Sequence, residues 1–131
     1  MKTGDSVSTT RIFDADAIAG YEALSGSSHA TGDVPEPLIG GLFSYLLGAE
    51  LPGFGTNYLK QTLDFVGTAE VGTPLTASVT ITRIRPEKDL VDLATLCRDG
   101  EGRRICEGRA LVLMKDVGHR VSGATGQTEQ Q

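Results

Sequence analysis

The residue types that could carry out chemistry are concentrated in one short segment, residues 25–36. It holds His29 and, four residues later, Asp33, and it ends with Glu36. An imidazole titrates close to neutral pH and can accept a proton without a large shift of its pKa. His29 with Asp33 as its partner is therefore a candidate for proton transfer. Asp and His in Ser/Gly-rich turns also commonly bond their own backbone, so both interpretations stay open here.

The segment that follows must position these side chains. Pro37 can open a helix, because its missing N–H costs nothing in the first turn. Residues 37–50 are apolar nearly all round, which predicts a buried helix. Gly40 and Gly41 would each weaken an isolated helix by about 1 kcal/mol relative to Ala. We therefore expect them to allow close approach of another backbone or of a ligand.

The other predicted elements are one short helix and a set of strands. Asp14 is expected to cap the helix, whose apolar face consists of Ala17, Ile18, Tyr21 and Leu24. Alternating or β-branched patterns predict strands at residues 7–13, 57–65, 74–85, 90–97 and 105–114. The last two strands are expected to pair across the turn at residues 99–102. The result is an α+β domain, residues 1–115, in which a curved antiparallel β-sheet buries one face on the central helix. The Gly/Ser/Thr/Gln-rich residues 116–131 predict a disordered tail.

Composition and charge exclude several classes of function. The chain of 131 residues suits one domain, and its net charge of −5 offers no electrostatic footprint for nucleic acid. No apolar run approaches the roughly 18 residues that cross a membrane. The N-terminus lacks the apolar core of a secretory signal, which predicts a cytoplasmic protein. Phosphate loops, nucleophile elbows and metal-ligand spacings are absent from the sequence, so we expect no cofactor and no metal.

The turn at residues 99–102 lies among cysteines and charged residues. Cys97 and Cys106 flank it and are expected to be buried structural thiols, although a cross-strand disulfide is conceivable. The charged residues alternate in sign: Arg98, Asp99, Glu101, Arg103, Arg104, Glu107 and Arg109. They predict a solvated hairpin, or alternatively a site for an anion such as a CoA phosphate.

Four stretches of the chain resemble the MaoC-like (R)-specific enoyl-CoA hydratases. They are Phe-Asp to Leu-Ser-Gly at 13–26, Pro-Leu-Ile-Gly-Gly-Leu-Phe at 37–43, Leu-Pro-Gly to Tyr-Leu-Lys-Gln at 51–61, and Val-Gly-Thr-Pro-Leu-Thr at 71–76. Their order and spacing cover about residues 12–114. The resemblance implies a hotdog fold.

The resemblance also implies the roles of particular residues. The family carries Asp-x-Asn-Pro-x-His after its Ser-Gly, whereas here Ser27 stands at the aspartate position, Asn-Pro is absent and the loop is shorter. His29 would take the role of the family histidine. Asp33, or a water held by Thr56, would replace the missing carboxylate. The Gly41 amide would bind the enolate-like oxygen at the start of the central helix.

Three functions follow as expectations. The first is a hydro-lyase that hydrates trans-2-enoyl thioesters or dehydrates (R)-3-hydroxyacyl thioesters, carried on CoA or acyl carrier protein. The second is a non-catalytic acyl-thioester-binding or partner subunit that has lost the Asp/His dyad. The third is a hotdog thioesterase in which Glu36 activates water. A hotdog sheet leaves an exposed edge, which predicts a homodimer or a heterodimer with a related hotdog subunit.

Overall fold

An antiparallel sheet is wrapped around the helix α2. The computed structural model describes residues 1–25, 32–53 and 56–115, without the side chains of Ser25 and Thr56. The helices and strands follow the chain in the order β1 Ser6–Ile12, α1 Ala15–Ser25, α2 Glu36–Ala49, β2 Thr56–Phe65, β3 Pro74–Arg85, β4 Leu90–Asp99 and β5 Arg104–Met114. A short 3₁₀ turn, Pro86–Lys88, joins β3 to β4. The predicted bounds agree with these to within two residues.

The five strands lie in the order β1-β3-β4-β5-β2, so β1 and β2 form the two edges of the sheet. The predicted pairing of the last two strands is confirmed, with Leu90 opposite Leu113 and Cys97 opposite Cys106. β2 follows α2 in the chain but pairs with β5. The chain therefore crosses from one side of the sheet to the other through α2.

Alternate strand residues face α2 and form the core with it. α2 contacts β1, β2 and β3, and touching both edge strands requires a curved sheet. The fully buried large side chains are Ile39, Phe43, Leu46, Leu47, Leu75, Val79, Ile81, Val91, Leu93, Val112 and Met114. Those on α2 recur at three- and four-residue intervals, as expected for a helix with one buried stripe. This is the hotdog arrangement that the sequence predicts.

Two expectations about helix burial are wrong in part. α2 is not buried all round, because Tyr45 is 53% exposed and Gly41, Ser44 and Gly48 are also exposed. That side of the helix lies away from the sheet. In α1, Ile18 is buried but Leu24 is 92% exposed, because the last turn of the helix extends beyond the core.

The start of α1 agrees with expectation. The backbone N–H of Ala17 donates to Asp14 Oδ1 at 2.9 Å, which confirms the predicted cap. Within the described ranges, no helix has both the length and the apolar character needed to cross a membrane. The predicted tail, residues 116–131, lies outside the described residues.

Candidate active site

One row of α2 residues, Glu36, Gly40 and Ser44, faces the edge strand β2. Residues four apart on a helix share a face. A Cβ added at Gly40 would lie 3.6 Å from Leu63 Cδ1, and the Tyr58 hydroxyl donates to Ser44 Oγ at 3.2 Å. We call these three residues the β2-facing row. Ser44 could not be predicted as part of this row from the sequence, because its spacing indicates a helix face without indicating which strand that face meets.

The opposite side of α2 borders an open cleft of about 400 Å³. The cleft is lined by Thr9, Arg11, Phe13, Pro37, Leu38, Gly41, Leu42 and Tyr45. The Arg11 guanidinium carbon lies 5.1 Å from the centre of the Phe13 ring, which holds the cation at the cleft wall. An open cleft therefore lies beside the first turns of the central helix.

Gly41 faces this cleft. A Cβ at Gly41 would meet nothing within 4 Å among the described residues, so no described backbone approaches it, and the alternative of a ligand stays a prediction. Its N–H belongs to the second turn of α2, where a regular helix directs it to the carbonyl of Pro37. The amides that point out of the helix end are those of the first turn, and of these Leu38 N donates to Pro35 O at 3.0 Å. A role for Gly41 in binding the oxyanion stays a prediction.

Asp33 is held in an antiparallel bridge with Glu70. The neighbouring Val34 N–H donates to Ala69 O at 2.7 Å, and both of these residues are buried. Side chains of directly opposed residues in paired strands lie on the same face, and side chains of successive residues in one strand point to opposite faces. The Asp33 side chain therefore lies on the face of Glu70 and away from the core side of Val34. Glu70 in turn contributes to raising the pKa of Arg103 in the β4–β5 hairpin, after Asp99 and Glu101.

The remaining predicted site residues are Ser27, His29 and Thr56. Ser27 and His29 lie outside the described residues. Thr56 opens β2, and α2 leads into it through a short loop, so the start of α2 lies at the far end of the strand, near Phe65. Nine residues of strand span about 30 Å. Thr56 of the same chain is therefore remote from the start of α2.

The charged hairpin is held by its own contacts. Asp99 accepts hydrogen bonds from the backbone N–H groups of Glu101 and Arg103 and from Arg103 Nε, each at 2.9 Å. Burial alone would raise the pKa of Asp99, but these hydrogen bonds lower it. Arg104 pairs with Glu107 at 3.2 Å. These contacts support the solvated hairpin over a CoA-phosphate site.

Cys97 and Cys106 are buried free thiols, as predicted. Burial raises the pKa of each to about 11. Among the described residues, no group of three or more His, Cys, Asp or Glu side chains could hold a metal ion.

Comparison with known proteins identifies the family. No protein-family model matches the chain. It is 30% identical over 128 residues to an (R)-specific enoyl-CoA hydratase of Rhodospirillum rubrum, covering 87% of this chain and 88% of the relative. It is 32% identical over 126 residues to an (R)-specific enoyl-CoA hydratase of Aeromonas caviae, covering 86% and 94%. The solved structure of an (R)-hydratase from A. caviae involved in PHA biosynthesis superposes with a TM-score of 0.83 at 30% identity, covering 87% of this chain and 97% of that one. The chain therefore belongs to the MaoC-like (R)-specific enoyl-CoA hydratase family.

Proposed function

We propose that the protein is a hydro-lyase that adds water to trans-2-enoyl thioesters, or removes it from (R)-3-hydroxyacyl thioesters, carried on CoA or acyl carrier protein. The observation that carries this proposal is identity of 30% and 32%, over most of both chains, to two relatives named (R)-specific enoyl-CoA hydratases. The open cleft beside the first turns of α2 is compatible with it, since a substrate needs space there.

The reaction sets three chemical requirements. A base takes a proton from water, an acid delivers one to the α-carbon, and N–H donors stabilise the enolate-like oxygen. His29 supplies an imidazole for proton transfer, and Asp33, or a water held by Thr56, stands in for the carboxylate absent from position 27. N–H groups at the start of α2 that lack an intrahelical partner would supply the donors. Adding water changes no overall oxidation state, so the proposal includes no cofactor.

β2 lies at the edge of the sheet, and this position supports a dimer as the working form. Its side chains include exposed Tyr58 and Leu59, 42% and 54% exposed, whereas the β1 edge is rich in Ser and Thr. Two β2 strands paired about a two-fold axis would run antiparallel. The start of one β2 would then lie beside the end of the other, which would bring Thr56 of the partner subunit toward the start of α2. A related hotdog subunit could occupy the same edge as a heterodimer.

The test is direct. Purified protein is given crotonyl-CoA and longer trans-2-enoyl-CoA substrates, and loss of the conjugated enoyl-thioester absorbance is followed. The proposal expects enzyme-dependent loss with at least one chain length. An unchanged absorbance with every chain length, offered on both carriers, would reject the hydro-lyase.

One observation favours a second candidate, a non-catalytic acyl-thioester-binding subunit. Ser27 replaces the carboxylate that the family uses in proton transfer. This candidate predicts that the chain binds enoyl-CoA without converting it, and that turnover appears only when a related hotdog subunit with a complete dyad is added.

A further inference from the structure

We propose that Arg11 binds a phosphate of the thioester carrier and thereby selects acyl groups that are joined to CoA or to acyl carrier protein. The inference rests on the proposed function and deepens it, since it names the side chain that recognises the carrier. In both carriers a pantetheine arm connects the thioester to a phosphate. The arginines of the charged hairpin pair with its own carboxylates, Arg103 with Asp99 and Arg104 with Glu107, so the phosphate partner is sought elsewhere.

The first support is the face of the sheet on which Arg11 lies. In β1 it is directly opposite Leu75 of β3, whose side chain is fully buried against α2. Directly opposed residues share a face, so Arg11 lies on the concave, α2-facing side of the sheet. A charge on the core-facing side of a strand is costly unless water or a partner solvates it. Arg11 meets this requirement by reaching the open cleft beside α2, where it remains exposed.

The second support is the charge of that cleft. Its described lining consists of apolar side chains, one glycine, one threonine and one tyrosine, and Arg11 carries the only charge among them. In the part of the chain that the structure describes, no carboxylate forms an ion pair with Arg11, whereas Arg85 is held by Asp92 at 2.7 Å. The chain as a whole has a net charge of −5. A mostly apolar cleft with one unneutralised cation is suited to a ligand that combines an uncharged arm with an anion.

The third support is the orientation of the guanidinium. Its central carbon lies 5.1 Å from the centre of the Phe13 ring, and Phe13 is only 4% exposed, so the ring is fixed in the core. A guanidinium that lies over an aromatic face keeps the N–H groups at its edge free to donate. Two of these groups can bind two oxygens of one phosphate, which a lysine ammonium cannot match.

The cleft connects this cation with the start of α2. Pro37 and Leu38, in the first turn of the helix, line the same cleft. The helix dipole makes this end of α2 favourable for anionic groups, and Glu36 of the same turn belongs to the β2-facing row on the other side of the helix. The proposed function places the thioester oxygen at the start of α2. One pantetheine arm would therefore lie in the cleft with its phosphate on Arg11 and its thioester at the helix start.

The experiment uses three crotonyl thioesters, of CoA, of acyl carrier protein and of pantetheine, because pantetheine has no phosphate. Arg11→Gln and Arg11→Lys are compared with the unsubstituted protein, and circular dichroism and melting temperature verify that they fold. The matched control is Arg83→Gln, which removes another exposed arginine toward the other end of the sheet, away from the cleft.

Arg11→Gln should raise KM for crotonyl-CoA about tenfold with little change in kcat, as for loss of a charge-assisted hydrogen bond at an exposed site. KM for crotonyl-pantetheine should not change. Arg11→Lys should lose less, since it keeps the charge without the planar fork. Arg83→Gln should not affect any of the three substrates. A rise in KM for both carriers would assign the phosphate that they share, and a rise with crotonyl-CoA alone would assign a phosphate that only CoA has.

Two outcomes would overturn the role of Arg11. Equal increases in KM for crotonyl-CoA and crotonyl-pantetheine would show that the side chain acts only by packing against Phe13. An unchanged KM for both phosphate-bearing substrates would leave Arg11 as an inward-pointing charge that protects the β1 edge from pairing.

Calorimetric titration with free CoA and free pantetheine separates this inference from the proposed function, because binding requires no turnover. If the unsubstituted protein converts no enoyl thioester, the hydro-lyase is rejected, yet a Kd for CoA about tenfold weaker in Arg11→Gln, with pantetheine unaffected, would still support the phosphate site. Absence of CoA binding by the unsubstituted protein, or an equal Kd in Arg11→Gln, would reject it.

Discussion

At the scale of single residues, Thr95 in the middle of β4 is a polar side chain placed in the core. Its side chain is buried, with 2% of the residue exposed. Its Oγ1 has no hydrogen-bond partner among the described residues. A buried unsatisfied hydroxyl costs about 1–3 kcal/mol. Thr95→Val should therefore raise the free energy of unfolding by about 1 kcal/mol, measured by urea denaturation. Thr62→Val on exposed β2 should change it by less than about 0.5 kcal/mol. Destabilisation by Thr95→Val would show that the hydroxyl has a partner.

The two buried thiols predict how stability depends on alkaline pH. The pKa of Cys97 and of Cys106 is raised to about 11 by burial, above the ordinary thiol value of 9.0. Below pH 9 both states keep the protons, so the stabilising contribution is complete. Between pH 9 and 11 the unfolded chain loses protons that the folded chain keeps, and stability falls by up to about 1.4 kcal/mol per pH unit for each thiol. Urea midpoints should show a shallower decline for Cys97→Ala/Cys106→Ala, and equal slopes would contradict this.

Residue types predict these burial states better than they predict side-chain direction. The cysteines are buried, as their type and strand positions indicate. The direction of Asp33 depends on its pairing with Glu70, which lies 37 residues further along the chain (70 − 33). Local spacing contains no information about such a long-range contact. The candidate site was therefore only partly predictable from the sequence.

At the scale of elements, two glycines should respond in opposite directions to the same substitution. Gly41 has open space where a Cβ would lie, so Gly41→Ala should stabilise α2 by up to about 1 kcal/mol. Gly108 of β5 lies against the backbone of Thr62, so a Cβ would collide with that carbonyl. Gly108→Ala should destabilise the fold by about 2 kcal/mol or more, since a backbone atom cannot move aside as a side chain can. Melting temperatures test both signs, and a destabilised Gly41→Ala would mean that another group packs on this face.

The bounds of helices and strands were predictable because they follow from local periodicity and turn residues. Strand neighbours were predictable for the β4–β5 hairpin, whose turn joins adjacent segments. β2 lies beside β5 because of a crossover between segments that are distant in sequence. The need for glycine at position 108 follows from that pairing. The periodicity of a strand specifies its buried face and leaves its neighbour undetermined.

At the scale of the whole molecule, the account predicts a dimer formed through the β2 edge. Leu59 lies on this edge and is 54% exposed, and a lysine there should oppose strand pairing. Leu59→Lys should elute as a monomer in size-exclusion chromatography and lose most enoyl-thioester turnover. The matched control is Leu24→Lys on α1, at a position 92% exposed, which should stay dimeric and active. The β2 interface would be contradicted if the protein without substitutions eluted at the mass of a monomer. It would also be contradicted if Leu59→Lys formed a dimer as stable as that of the unsubstituted protein.

The central claim is that the chain adds water to an enoyl thioester, and the fate of the water oxygen tests it most directly. Crotonyl-CoA is incubated with the protein in ¹⁸O-labelled water, and the products are separated and weighed by mass spectrometry. The account predicts (R)-3-hydroxybutyryl-CoA with the label in its hydroxyl group and the thioester intact. Label in a free carboxylic acid, with release of CoA, would instead identify a thioesterase, and unlabelled crotonyl-CoA alone would contradict catalysis by this chain.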